Sequence, residues 1–502
     1  MGNLDLNKIK VTVGLSGGVD SSVAALLLRE AGFDVRGVYL KCYWTYEGCQ
    51  SDQDRNSAAK VASVLNIPFE VWDFEKEYRK TVVDYFYDEY KKGRTPNPDV
   101  VCNREIKFGL FLERALGAFG SVLGQAPKRP LSPTAKDTVG ALSLAHAADY
   151  RFGVFPCRPQ NSTFIATGHY ARLGLVTEDS LPVTSDRGRK VIFPKFSQCE
   201  SVRDSNLEKY VNIEEYLECL EHVGSFGDTG AGKCGNLSLF GGVDAMKDQS
   251  YFLYDIPPST YEHILYPLGN LTKKQVREIA KREKLPTADR PDSTGICFIG
   301  EVNVEKFLKE RISEHEGSVV NRAGEVIGKH KGVEFYTIGQ RHGFAVRLAN
   351  PDLSKDLLKG SPLPPSGGGV PPQRALLYKS SLYDSSSRPP YYVIGKNVKK
   401  NELIVGMGEE CKTNQFLVRI DRNFQFSIFN FQLFVRIRNL GEFIPCRVTS
   451  EEAKSNRLEV TLEYSVFGIA PGQCAVFYRK WPAMGDQCPV WQVVGGGVIG
   501  AN

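Results

Sequence analysis

Residues 8–15 (KIKVTVGL) form a short β-branched apolar run closed by glycine, the pattern of a buried parallel strand. Residues 16–22 (SGGVDSS) are small and polar, and residues 23–30 return to helical periodicity. Apolar runs at 35–40 and 68–72 predict two more strands, with a helical pattern at about 55–65 between them. Strands alternating with helices imply an α/β fold around a mostly parallel sheet, with ligands at the carboxyl ends of its strands. Helical patterns recur at 272–283 and 304–311, followed by a glycine-rich strand region, and 269–345 is expected to be a small central domain. From residue 391 the pattern changes to alternation: YYVIG, ELIVGMG, QFLVRI, FQLFVRIR, RLEVTLEY and QCAVFY predict a C-terminal β-barrel over 391–502.

Length alters this picture only modestly. At roughly 100–200 residues per domain, 502 residues suit two to four domains, and residues 1–268 are expected to form the first. Three stretches look inserted: 117–163, rich in Pro, Ser and Ala; 173–242; and 346–390, which contains LPPSGGGVPP. No apolar run approaches the roughly 20 residues of a membrane span. The net charge of +5 permits a polyanionic partner without demanding one. Twelve cysteines include no Cys-x-x-Cys and no His beside a cysteine pair at zinc-finger spacing, so no structural metal is expected.

Chemistry concentrates in a few strings. Gly17 and Gly18 let the backbone bend around an anion, so that N–H groups of the turn and helix start point at phosphate oxygens. Ser16, Ser21 and Ser22 add hydroxyls, and Asp20 suits either a metal ion or a helix cap. The plainer alternative is a βα turn capped by Asp and Ser. No Gly-Lys-Ser/Thr closes the loop, so it is not a Walker A motif. SGGVDS resembles the pyrophosphate loop of enzymes that adenylate a substrate with ATP.

Cys102 follows TPNPD and opens a predicted amphipathic helix over 103–116, where the helix dipole favours a thiolate and Arg104 and Lys107 add positive charge. A buried, inert cysteine is the competing reading. Asp99 suits proton transfer or helix capping. Cys297, in DSTGICFIG, lies between two glycine-containing turns, and 195 positions separate it from Cys102 (297 − 102).

Five motifs occur in order: TPNPDVVCNREIKFG, ATGHYAR (166–172), KDQSYFLY (247–254), DSTGICFIG (292–300) and YTIGQRHG (336–343). Together they resemble the tRNA-specific 2-thiouridylase family, and the similarity continues to PGQCAVFY (471–478). The resemblance implies that Gly14, Leu15, Ser16, Gly17, Gly18, Val19, Asp20 and Ser21 hold ATP as its Mg²⁺ complex. Leu40, often Met in the family, and Gly168 match further ATP contacts. Cys102 matches the nucleophile and Cys297 the persulfide carrier, the two closing a transient disulfide; Asp99 is the candidate for proton transfer, a purely positional role being the alternative. Contacts to tRNA are implied for Asn97, Pro98, Asp99, His169, Lys247, Asp248, Gln249 and Gln473, and more loosely for Arg438 and Asn439. Met246 departs from the Asn common beside KDQ.

The implied activity is ATP-dependent adenylation of the C2 oxygen of a wobble uridine, followed by sulfur transfer to give 2-thiouridine. The implied partners are tRNA and a persulfide donor of the cysteine desulfurase or sulfur-relay kind. A monomer is expected, in the bacterial cytoplasm or, alternatively, in a mitochondrial or plastid matrix. The rival readings are a GMP-synthetase-like amidotransferase and a tRNA-binding protein that has lost thiolation. The first lacks a visible glutaminase region, and Asp20, Cys102 and Cys297 argue against the second.

Overall fold

The computed structural model describes residues 5–42, 49–117, 163–178, 189–195, 208–213, 216–217, 236–292, 297, 303–346, 378–379, 390–420, 431–450, 456–481 and 489–500. Strands β1 (Lys10–Gly14), β2 (Asp34–Lys41), β3 (Phe69–Asp73) and β4 (Thr163–Ala166) form a parallel sheet in the order β3-β2-β1-β4, with Ile264–Leu265 at the edge beyond β4. The order reverses between β1 and β4, the crevice where open α/β sheets bind ligands. Every side chain from Val11 to Val13 is buried, as a strand covered by helices on both faces requires. Helix α1 (Val19–Glu30) follows β1, and α2 (Cys49–Leu65) follows β2.

The glycine turn differs from its expected form in one respect. Helix α1 begins at Val19, four residues before the apolar periodicity starts, because Gly18 is extended (φ −90°, ψ 166°) and ends the loop. Val19, Asp20, Ser21 and Ser22 therefore lie in the first helical turn, beside the positive end of the helix dipole.

A second sheet is built from Gly317–Val320, Val326–His330, Ala345–Val346, Tyr378–Lys379, Tyr392–Asn397 and Glu402–Gly406. The last two strands had been expected in the C-terminal barrel. Their register places them in this central sheet, since Ser318, Val319 and Val320 pair in parallel with Glu402, Leu403 and Ile404. Alternation alone specifies a half-buried strand and says nothing of its neighbour.

The barrel itself is made by six antiparallel strands: Lys412–Arg419, Leu433–Arg436, Ile444–Ser450, Arg457–Phe467, Cys474–Trp481 and Val490–Ile499. It closes where Val418 and Arg419 pair with Ile499 and Val498, leaving no free edge in the ring. Phe416, Val418, Val435, Val460 and Phe477 fill its interior.

Of the three expected insertions, residues 118–162 lie outside the described residues, as does most of 346–390. Within 173–242, Arg189–Lys195 pairs antiparallel with Ala171–Glu178, and Glu208–Asn212 adds in parallel. That stretch thus contributes strands to the sheet, where a surface excursion had been expected. Asn236–Gly241 joins the same sheet to the barrel through the Gln492–Phe240 pair. A buried ion pair between Arg436 and Asp248, 2.7 Å long, ties barrel and first domain together again. No described helix is long and apolar enough to cross a membrane.

Candidate active site

The loop after β1 has little freedom of composition. Gly17 has φ +80°, and a Cβ on it would lie 2.3 Å from the Asp54 carbonyl oxygen of α2. Both conformation and space therefore demand glycine there. The loop is laced by hydroxyls: Ser16 N donates to Ser21 Oγ (3.1 Å), and Ser22 Oγ donates to the Gly18 carbonyl (2.8 Å). Leu15 N is held by the Val38 carbonyl at 2.8 Å, and Leu40 is buried alongside, its Cδ1 3.6 Å from where a Gly14 Cβ would lie. Gly168 presses on the same turn, since a Cβ there would sit 2.7 Å from Ser21 N. Gly14 to Ser21, Leu40 and Gly168 are thus gathered at one end of the sheet.

The thiols form a second cluster. Asn97 caps the helix by accepting from Val100 N (3.3 Å), and Pro98 occupies the first turn. The helical stretch then runs from Pro98–Val101 through an over-wide section, Cys102–Leu110, to Phe111–Ala115. Cys102 sits one turn inside the helix and is fully buried. Burial pushes the Cys102 thiol well up, and the Lys107 charge offsets this only in part.

Cys297 behaves oppositely. The Cys102 thiol hydrogen-bonds to its sulfur, the Lys107 ammonium adds both charge and a hydrogen bond, and together they pull the half-buried Cys297 down to about 7 against its desolvation. Two thiols 195 positions apart therefore meet, one drawn down and the other pushed up. The Cys297 backbone is fixed at both ends: its N–H donates to Asp99 Oδ1 (2.9 Å), and its carbonyl accepts from Tyr78 Oη (2.6 Å). Burial raises the Asp99 carboxyl, against the lowering pull of the Cys297 N–H and Lys107. Cys42, at the end of β2, is a third buried thiol close enough to interact electrostatically with the pair, and burial raises it too. All six described free cysteines, these three among them, are reduced.

The depressed Cys297 thiol has a direct consequence. Thiolate content rises with pH through its pKa, so the alkylation rate at Cys297 should rise with a midpoint near pH 7. In Lys107→Met that midpoint should move up by at least about one unit, because a cation is lost beside a buried anion. Site-resolved mass spectrometry after iodoacetamide pulses from pH 5.5 to 9.5 checks this, and an unchanged midpoint would remove Lys107 from the role.

The residues assigned to tRNA fall into two groups. Thr95 N donates to the Pro471 carbonyl (2.8 Å), and Thr95 Oγ1 donates to Thr337 Oγ1 (3.3 Å). The segment Asn97–Pro98–Asp99 therefore lies where all three domains meet, with Gln473 two residues beyond Pro471 and Arg438 exposed on the barrel. The others are engaged inside the protein. His169 is buried and neutral, its Nδ1 2.8 Å from Thr167 Oγ1. Asp248 is 3% exposed and accepts from Gly242 N, Ser250 N and Arg436. Gln249 Oε1 accepts from Tyr170 N (3.0 Å), Lys247 Nζ lies 2.6 Å from Asp292, and Asn439 Oδ1 is buried without a hydrogen-bond partner.

Sequence reasoning missed the ion-pair network between the two clusters. Lys273 Nζ binds both oxygens of Asp20 (2.7 and 2.8 Å) and also Asp292 (2.9 Å), while Tyr170 Oη donates to Asp20 (2.8 Å). Arg290 donates to the Gly17 carbonyl and to Asp54, each at 2.6 Å. Asp292 opens the DSTGICFIG string, which was the available signal. Among the described residues no group of three or more His, Cys, Asp or Glu could hold a metal ion.

Three family models match the chain. They are described as a tRNA methyl transferase HUP domain (residues 9–122 and 209–301), a tRNA methyl transferase PRC-barrel domain (305–352) and an aminomethyltransferase beta-barrel domain (425–499). The tRNA-specific 2-thiouridylase MnmA of Nitrosomonas europaea is 32% identical, over 99% of this chain and 100% of its own. The enzyme of the same name from Bacillus subtilis is also 32% identical, over 98% of this chain and 94% of its own, and that from Lactobacillus johnsonii 32%, over 97% and 95%.

Proposed function

The chain belongs to the family of tRNA-specific 2-thiouridylases, and on that premise we propose that it uses ATP to replace the C2 oxygen of a wobble uridine by sulfur. The uracil C2 oxygen is a poor leaving group. Transfer of AMP to it from ATP creates a good one, and pyrophosphate departs into the N–H groups of the Gly17–Gly18 turn and the α1 N-terminus. Mg²⁺ enters with the nucleotide, and Asp20 is the loop carboxylate suited to meet it. Leu40 and Gly168 border the adenosine.

The observation that carries this reading is the contact between Cys102 and Cys297 beside Lys107 and Asp99. Cys297, as thiolate, attacks the outer sulfur of a donor persulfide and takes it up, releasing the donor's own thiolate. The resulting terminal sulfur attacks C2 and expels AMP. Cys102 then attacks the Cys297 sulfur, closing a Cys102–Cys297 disulfide and leaving the sulfur on C2. An equivalent order has Cys102 release hydrosulfide first, which then attacks C2. In either order an external thiol reductant reopens the disulfide for the next turnover. Asp99 moves the proton that Cys102 must lose.

The target uridine lies in a single-stranded loop that can be splayed out of its stack. Asn97, Pro98 and Asp99 receive it, Gln473 and Arg438 reach the RNA around it, and Asn439, His169, Lys247, Asp248 and Gln249 shape the seat. A monomer in the bacterial cytoplasm suits this reading, since both thiols must be reduced between turnovers. The family descriptions that speak of methyl transfer leave the thiol pair without a task, which favours the sulfur reading.

Incubation with unmodified tRNA, ATP, Mg²⁺, a persulfide donor and a thiol reductant should yield 2-thiouridine by nucleoside mass spectrometry. No product in the complete mixture would overturn the reading.

A further inference from the structure

We propose that Lys273 is a positioning residue that couples occupancy of the Gly17–Gly18 loop to the thiol of Cys297. This rests on the reading of that loop as an ATP site and adds a link between its two halves of chemistry.

Lys273 is the first residue of the Lys273–Arg282 helix, held there by the Thr272–Gln275 capping box. Its backbone N–H is further fixed by Asp244 (2.9 Å), so the side chain projects from a rigid base. It is 12% exposed and joins two carboxylates of different parentage: Asp20 of the loop and Asp292, five residues before Cys297. Asp292 also receives Lys247 (2.6 Å) and Arg277 (2.5 Å), and Lys247 and Lys273 hold its carboxyl well below the usual range. Arg290, two residues earlier, grips the Gly17 carbonyl. Arg290 and Asp292 are therefore both tied to the nucleotide loop, five positions or more before Cys297.

The local charges are Lys247, Lys273, Arg277 and Arg290 against Asp20, Asp54, Asp244 and Asp292, a balanced set. Magnesium pyrophosphate brings a cation that competes with Lys273 for Asp20. It also brings oxygens that compete with Asp20 for Lys273. Either exchange opens the Asp20–Lys273 bond and leaves the Lys273–Asp292 pair to follow the phosphate. The chain leading to Cys297 is thereby biased by what the loop contains, which gives the two sites the differential contacts that coupling requires.

The test uses the full chain, with ATP binding followed by equilibrium dialysis and Cys297 alkylation by site-resolved mass spectrometry. Saturating Mg·ATP should change the Cys297 alkylation rate at least about fivefold in the wild type. Lys273→Met, with ATP bound, should lose that dependence, and Lys273→Arg should restore it. Asp292→Asn leaves the Asp20–Lys273 contact in place and should bind ATP yet also lose the dependence, which covers a Lys273→Met protein that misfolds or fails to bind. An ATP-bound wild type with an unchanged rate, or ATP-bound Lys273→Met or Asp292→Asn with the full response, would overturn the coupling alone. A wild type that binds no ATP would overturn the ATP reading and the coupling with it.

Discussion

Cys297→Ser is expected to lower 2-thiouridine formation by at least about 1,000-fold, since a hydroxyl can neither carry a persulfide nor ionise near pH 7. The Cys102 hydrogen bond and Lys107 draw the Cys297 thiol down. The adenylation half of the reaction uses other groups, so tRNA-dependent pyrophosphate release should persist within about threefold. Cys102→Ser should fail differently. Its Cys297 can still accept sulfur, so with donor but neither tRNA nor reductant a Cys297 persulfide should accumulate to near stoichiometric level, and in the complete mixture multiple turnover should stop. Intact-mass measurement of the 32-Da adduct, beside a pyrophosphate assay, separates the two variants. Equal behaviour of both would contradict the division of labour between the thiols.

Gly17→Ala carries the second large effect, with no chemistry removed. A left-handed backbone costs an L-residue about 1–2 kcal/mol. The added methyl would also collide with the Asp54 carbonyl, 2.3 Å away. That carbonyl belongs to α2, so relief requires moving either the helix or the loop, and the loop is the lighter body. Its N–H groups would then no longer converge on one anion. ATP affinity should fall at least about 100-fold, with the melting temperature lowered by no more than a few degrees. Equilibrium dialysis and calorimetry measure the two quantities independently. Wild-type ATP affinity would show that the turn is not the phosphate seat.

Much of this was legible beforehand, for identifiable reasons. The β1–glycine–α1 unit announces itself because β-branched alternation, a Gly-Gly pair and helical periodicity are all local signals. The start of α1 was placed late because Val19, Asp20 and Ser21 read as loop residues until Gly18 is seen to terminate the extended backbone. Cys102 was expected at a helix N-terminus, where a dipole would ionise it. The cap at Asn97 moves the helix start upstream, and burial then decides the matter. The strands at 392–397 and 402–406 were assigned to the barrel because alternation looks the same in either sheet, and only register distinguishes them. The network joining Asp20, Lys273 and Asp292 was invisible, because partners 253 positions apart leave no periodic trace. Tyr170 lies in the ATGHYAR string, which gives no sign of its partner. It is buried, and its hydroxyl serves Asp20.

The meeting of three domains at Thr95 bears on how the protein comes into being. Asn97 leaves the ribosome 376 residues ahead of Gln473 (473 − 97). At about 5–20 residues per second, this leaves about 20–75 s in which the first domain exists without its far wall. Through that interval Asp99 and Cys102 can fold in place, but the turn at Pro471 that braces Thr95 has not yet been made. A nascent chain can therefore acquire its nucleotide pocket well before it can seat an RNA loop. On the proposed mechanism, the order of synthesis would withhold adenylation of any passing uridine until the barrel has closed.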